Sequence, residues 1–203
     1  APITFGILAI TIAAFVISQY AGGFGDRLTF ELVQANQLVD LGEWWRIFTP
    51  ILLHASFAHI LFNMYALFQL GPAVEARYGR APFLALYLGA AGVGGAFAFH
   101  FGGSDDILVG ASGAVFGLFG LWLHAAYKMR DTAFGRNLLS SLWISLLLNI
   151  ALPFIIPGIS WQGHLGGLLA GIVTGEGWAR LRARQRVAVP VVLAVLAVLS
   201  VML

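Results

Sequence analysis

The sequence predicts an all-α, polytopic membrane protein: a bundle of six transmembrane helices with a seventh helix at the C-terminal end. Three observations lead there. Of 203 residues, 60% are hydrophobic and only 10% charged, against about 25% charged in an ordinary soluble domain. That is too little charge to cover a water-facing surface, which excludes a soluble globular enzyme, a disordered chain and a nucleic-acid-binding domain. The apolar residues gather into runs close to the roughly 20 residues that a bilayer-crossing helix needs. Short breaks of charged residues, glycine and proline separate the runs, and together they use the whole length.

The first span is expected at 2–21. The chain starts at Ala1 without methionine and reads as trimmed. Its first apolar stretch lacks a basic lead and a clear small-residue cleavage site, so it reads as a mature span and not as a signal peptide. A long amphipathic segment, 22–53, follows and holds Asp26, Arg27, Glu31, Asp40, Glu43 and Arg46. Further spans are expected at 54–74, 82–101, 110–127, 138–156 and 162–179. The last run, 187–203, is short, with Pro190 near its start, but sufficient for a seventh span. This divides the chain into a six-helix core, 1–186, and an added helix, 187–203. Cysteine is absent, which excludes disulfides, thiolate metal sites and a cysteine nucleophile.

The few charges orient this map through the excess of Lys and Arg on cytoplasmic loops. With the 22–53 loop outside, only Arg27 and Arg46 of the 11 bases lie outside. The others, from Arg77 to Arg186, fall inside. The acids divide the opposite way, with only Glu75, Asp131 and Glu176 inside. The N-terminus is then cytoplasmic, and even-numbered spans start from the outer face. No internal repeat stands out, which counts against an inverted-repeat transporter.

Polar groups inside apolar spans are expensive and usually functional. The map gives several of them one address. His54, His59 and Asn63 fall in the first turns of the second span, Ser112 in the first turn of the fourth and His164 in the first turn of the sixth. All three spans start outside, so an outward-facing polar cavity is the economical reading. Ser112 sits in Gly110-Ala111-Ser112-Gly113. A serine hydroxyl is a poor nucleophile until a base takes its proton, and His164 is the available base. No carboxylate lies at this depth, so the pair is read as a Ser–His dyad. The dipole at the start of the sixth helix disfavours an imidazolium and keeps His164 able to accept a proton. The fourth span carries Gly113, Gly117 and Gly120, and the sixth carries Gly163, Gly167, Gly171 and Gly175 at four-residue spacing. Such small-residue stripes let helices approach closely in lipid and would bring Ser112 to His164. Each feature alone has an ordinary packing explanation; together they point to a site. His59 and Asn63 share a helix face, and they could donate to a developing oxyanion or hydrogen-bond between helices. His54 reads as a loop-bracing histidine. A metal at His54 and His59 is a rival reading, but no HExxH and no carboxylate accompanies the pair. His100 and His124 read as interfacial residues at span ends.

These residues together resemble the rhomboid family of intramembrane serine proteases. The matching motifs are Gly110-Ala111-Ser112-Gly113, His164-Leu165-Gly166-Gly167, and His54-Ala55-Ser56-Phe57-Ala58-His59 with Asn63. The pair Trp45-Arg46 and the pattern Gly71, Glu75, Gly79 complete the resemblance, which runs through the first six spans. It implies a rhomboid-like bundle in which Ser112 is the nucleophile, His164 the general base, and His59, Asn63 and the Ser112 amide the oxyanion hole. Trp45 and Arg46 would brace a membrane-embedded first loop. Substrates would be transmembrane proteins, cut near a helix end that can unwind. Lateral access would pass the fifth span, with Trp143 and Phe154 at the gate and a cap at 153–161. Many members have a tyrosine one turn after the nucleophile, stacked on the catalytic histidine. Phe116 stands there in this chain, keeping the ring without the hydroxyl. Gly163 occupies a position where alanine is common, and Gln162 carries no assigned role. The expected setting is a bacterial inner membrane with the site open to the outer face. No cofactor, metal or nucleic acid is expected, and the oligomeric state is left open. The competing readings are a catalytically inactive rhomboid-like protein that binds membrane helices, and a small transporter or channel.

Overall fold

The computed structural model describes residues 1–20, 27–155 and 159–203, without the side chains of residues 28 and 148–155. Asp26, the side chain of Phe154 and the centre of the expected cap at 153–161 lie outside the described residues.

A helix satisfies its own backbone hydrogen bonds, which is why long apolar runs take this form in lipid. Seven long helices stand among the described residues: α1 (Pro2–Tyr20), α4 (Phe57–Tyr78), α5 (Arg80–Phe101), α6 (Ser112–Lys128), α7 (Ala133–Ile155), α8 (Trp161–Arg180) and α9 (Ala188–Met202). Between α1 and α4 the chain forms two short helices, α2 (Arg27–Leu32) and α3 (Asn36–Asp40), and two 3₁₀ turns, Trp44–Ile47 and Thr49–Leu52. A two-residue strand β1 (Gln34–Ala35) pairs antiparallel with β2 (Ile107–Leu108), Gln34 opposite Leu108 and Ala35 opposite Ile107. This small ribbon ties the first loop to the segment just before α6.

Among the described residues, four segments are long and apolar enough on their own to cross a membrane: Pro2–Tyr20, Phe57–Tyr78, Arg80–Phe101 and Ala183–Met202. At 17 residues, α6 is shorter than these. The expected helical membrane bundle is thus present, while length and composition pick out four crossings and not the full set of seven. The helices do not share the interior equally. The span of α5 is 56% buried, whereas those at α1 and in Ala183–Met202 are 22% and 17% buried. So α5 is the central post, and the outer helices turn Ile10, Ile17, Val192 and Leu196 outward. In water such a surface would be costly; lipid tails accept it.

Glycine sets how closely the central helices meet. A Cβ added at Gly167 would strike the carbonyl of Gly113, one at Gly171 that of Gly117, and one at Gly120 that of Leu168. The faces of α6 and α8 therefore meet backbone to backbone. Gly94 of α5 closes the same junction: its added Cβ would lie 2.8 Å from the Gly163 carbonyl oxygen and 3.3 Å from the Gly113 Cα. Leu67, Phe83, Leu86, Leu118 and Leu121 fill the core around this junction.

Two helix starts correct the expected span limits. α4 begins at Phe57 and not at 54. Ser56 is extended, and its Oγ accepts the His59 amide hydrogen (3.2 Å), an N-cap that fixes where the helix begins. His54 therefore precedes the helix instead of lying in its first turn. α5 starts at Arg80, because Gly79 takes φ +99° and lets the chain reverse within one residue.

Candidate active site

Three helix N-termini converge. His59 lies in the first turn of α4, Ser112 opens α6 and His164 lies in the first turn of α8. The Ser160 Oγ caps α8 by accepting the Gly163 amide (3.0 Å), which sets the helical phase of His164. The His164 ring stacks on Phe116, with centroids 4.2 Å apart and planes 12° from parallel. Phe116 lies one helical turn after Ser112, on the same face of α6. His164 and Ser112 are thereby brought to one side of the α6–α8 junction. His164 is half-buried, and its Nδ1 is enclosed without a hydrogen-bond partner among the described residues.

His59 joins from α4. A Cβ at Gly110 would lie 2.6 Å from the His59 Nε2, so the ring rests on the backbone just before Ser112. Gly110 takes φ +117°, and its amide donates to the Pro50 carbonyl (3.0 Å). Only glycine combines that backbone angle with so close a ring. The ladder of α6 opens with the Val115 amide donating to Ala111 (3.0 Å). The amides of Ser112, Gly113 and Ala114 come before it, at a helix start that favours negative charge. Asn63 is buried, and its Nδ2 donates to the His59 carbonyl (3.0 Å). That uses one of its two amide hydrogens. His54 is buried edge-on against His59, with ring centroids 5.0 Å apart. Both of its ring nitrogens lack a partner among the described residues, and what it offers His59 is a ring contact.

The supporting residues lie further out. The Arg46 side chain is 2% exposed. It donates to the carbonyls of Phe30 (2.8 Å), Glu31 (3.2 Å) and Val33 (2.8 Å) and pairs with Glu43 (2.6 Å). One guanidinium thus ties α2 to the first 3₁₀ turn. Trp45 instead faces outward, edge-on to Trp44. Glu75 caps α1: its carboxylate accepts from the Ile3 amide (3.0 Å), the Thr4 amide (2.8 Å) and the Thr4 hydroxyl (2.8 Å). Trp143 is exposed on α7.

Sequence reasoning passed over several residues. Gln34 and Asn36 are buried and anchor the first loop to α5. The Gln34 amide donates to Gly95 (2.9 Å), and the Asn36 amide donates to Ala98 (3.2 Å) and Gly103 (2.9 Å). Three amide side chains close together, Gln34, Asn36 and Gln37, were the available signal. Gln162 donates to the Phe101 carbonyl (3.1 Å), joining the start of α8 to the end of α5. His124 is not merely interfacial. Its ring lies against Gly175, and its Nε2 meets Glu176 at 2.9 Å, next to Lys128 and Arg180. This cluster clamps α6 to α8 at the end away from Ser112.

A helical bundle built for lipid, with Ser112 and His164 at helix starts that converge with the start of α4, defines a class of membrane protein with polar groups gathered inside its fold. The Rhomboid domain family matches residues 41–181, and the chain belongs to the rhomboid family. It is a multi-pass integral membrane protein. It is 38% identical over 170 residues to "Rhomboid protease GluP" of Bacillus subtilis (strain 168), covering 83% of this chain and 33% of that one. It is 39% identical over 138 residues to "Putative rhomboid protease YdcA" of the same organism, covering 68% of this chain and 69% of that one. With "Rhomboid-like protease 1" of Toxoplasma gondii it shares 34% identity over 141 residues, 68% of this chain and 48% of that one. The matched region thus spans from a third to just over two thirds of these relatives.

Proposed function

We propose that the chain is an intramembrane serine endopeptidase that cleaves transmembrane protein substrates with a Ser112–His164 dyad. The observation that carries this is the stacking of His164 on Phe116, one turn below Ser112, with His59 resting on Gly110 just before it. The names of the relatives, proteases in bacteria and in a eukaryotic parasite, support the same reading.

The Ser112 hydroxyl attacks the scissile carbonyl carbon as His164 Nε2 takes its proton. The carbonyl oxygen becomes an oxyanion. The Ser112 amide, the His59 ring and the remaining Asn63 amide hydrogen are the donors offered to it. His164 then protonates the leaving amine, and the peptide bond breaks to leave an acyl-Ser112. Water, deprotonated by His164, releases the acid and restores Ser112. The Phe116 ring holds the imidazole plane in place of a third, carboxylate member. Because the site is formed at helix starts, water reaches it from one membrane face, and unpaired helix-start amides can satisfy an unwound substrate backbone that lipid would not.

The charge distribution supports a cytoplasmic N-terminus and a site open to the opposite face, and the bacterial relatives fit a bacterial inner membrane. We place six spans in a core at 1–186, with 187–203 as a seventh.

The test is labelling of the detergent-solubilised protein by a serine-reactive fluorophosphonate, alongside Ser112→Ala and His164→Ala, followed by cleavage of a model transmembrane substrate. Labelling and cleavage that both substitutions abolish are expected. A folded protein that neither labels at Ser112 nor cleaves would make it an inactive helix-binding relative and overturn the proposal.

A further inference from the structure

The end of the bundle opposite Ser112 carries cations that the protein does not neutralise. Tyr78 closes α4 and packs on the buried Trp178 near the end of α8, with ring centroids 4.5 Å apart. Two guanidinium groups lie on this one tyrosine: Arg77 at 5.5 Å and Arg186 at 5.2 Å from its ring centroid. The Trp178 indole N–H donates to the Arg186 carbonyl (2.6 Å), which fixes the backbone that delivers the second. Arg186 is half-buried, and its Nε is enclosed without a hydrogen-bond partner among the described residues. Each guanidinium is attracted to the ring face, but the two like charges repel each other, so an anion placed between them would be favoured.

Two of the three acids assigned to this side are already engaged, and the third, Asp131, is exposed in the α6–α7 turn. Glu75 is turned into the α1 cap, and Glu176 is shared among His124, Lys128 and Arg180. Among the described residues, no carboxylate pairs with Arg77, Arg182, Arg184 or Arg186. Arg182 and Arg184 are exposed on the linker between α8 and α9. That linker joins two apolar helices and so lies at the membrane boundary, where tyrosine and tryptophan sit at headgroup level. The planar, doubly donating guanidinium matches phosphate geometry.

We propose that the Tyr78–Trp178 corner holds the phosphate headgroup of an anionic phospholipid between Arg77 and Arg186, with Arg182 and Arg184 at its rim. The apolar flanks of α4, α8 and α9 continue from this corner and receive the acyl chains. The site does not depend on the chemistry at Ser112.

The experiment is native mass spectrometry of the full chain in neutral detergent, titrated with phosphatidylglycerol or phosphatidylcholine. Phosphatidylglycerol should bind roughly tenfold more tightly. Arg77→Gln with Arg186→Gln should remove that preference, weakening phosphatidylglycerol binding far more than phosphatidylcholine binding. Arg130→Gln with Arg136→Gln, at the α6–α7 turn, should leave it intact. Should the first pair fail to fold, Arg182→Gln with Arg184→Gln, both at exposed positions, should still weaken phosphatidylglycerol binding several-fold. Equal affinity for the two lipids would overturn the proposal. So would retained preference in a folded Arg77/Arg186 variant, or an equal loss in the Arg130/Arg136 control. Full displacement of the lipid by excess inorganic phosphate would mean a simple anion site and would also overturn it.

Discussion

Gly167→Ala tests whether the backbone-to-backbone meeting of α6 and α8 is what brings the proposed dyad together. The added methyl would strike the Gly113 carbonyl oxygen and lie 2.8 Å from its carbon and 3.1 Å from its Cα. All three are backbone atoms, so no side chain can swing away and the helices must separate. Alanine ordinarily favours a helix over glycine by about 0.5–1 kcal/mol. Overpacking costs about 1–3 kcal/mol, and with rigid backbone on both sides the upper end applies. The net expectation is a loss of about 2 kcal/mol. The catalytic effect should be larger, since a displacement of about 1 Å at a reacting pair costs on the order of a hundredfold in rate. Gly113 adjoins Ser112, so the displacement acts directly on the nucleophile. The assay is the rate of fluorophosphonate labelling at a temperature where the variant is folded, together with its unfolding midpoint. Gly163→Ala is the comparison: its methyl would meet Ser160 Oγ at 3.4 Å, an ordinary contact, and labelling should stay within about twofold of the parent. Gly6→Ala meets nothing within 4 Å and should stabilise slightly. A Gly167→Ala protein that labels and unfolds like the parent would show that the close crossing does not position Ser112, and the reasoning would fail.

Glu75→Ala should strip the cap from α1 and destabilise by about 2–3 kcal/mol, since charge-assisted bonds to two amides and a hydroxyl are lost together; thermal unfolding and proteolysis near α1 would report it. Arg46→Lys keeps the charge but not the planar fork that reaches three carbonyls and Glu43, so a lowered unfolding midpoint is expected, with Arg46→Ala lower still. Phe116→Ala should slow Ser112 labelling by roughly tenfold through loss of the ring that holds His164, whereas Phe116→Tyr should remain close to the parent. Equal rates for the two Phe116 variants would remove the stacking argument.

Much of the site was legible because its parts obey local rules. Ser112 and His164 stand at helix starts that their flanking residues announce, and glycine stripes with helical spacing declare a close crossing before any partner is known. Glu75 was named as a structural residue only through family resemblance, and its cap on α1 was not foreseen, since nothing in its neighbourhood says which amides it will meet more than seventy residues away. Gln34 and Asn36 were read as loop because no periodicity marks an amide whose acceptors lie on another helix. His124 was read as interfacial for the same reason: its partner, Glu176, lies 52 positions away. The early start assigned to the second span came from counting His54 with the helix, when the Ser56 cap holds it outside.

By itself, the sequence determined the class of protein and set Ser112 and His164 at helix starts. Scarcity of charge excludes a water-facing surface whatever the fold, and a bilayer turns apolar runs into helices because unpaired backbone is too costly there. Only the tertiary structure decided which helix stands at the centre, which carbonyl each glycine faces and which ring His164 rests on. Those depend on contacts between segments far apart in sequence, and packing selects such contacts by shape and hydrogen-bond geometry, which leave no period along the chain.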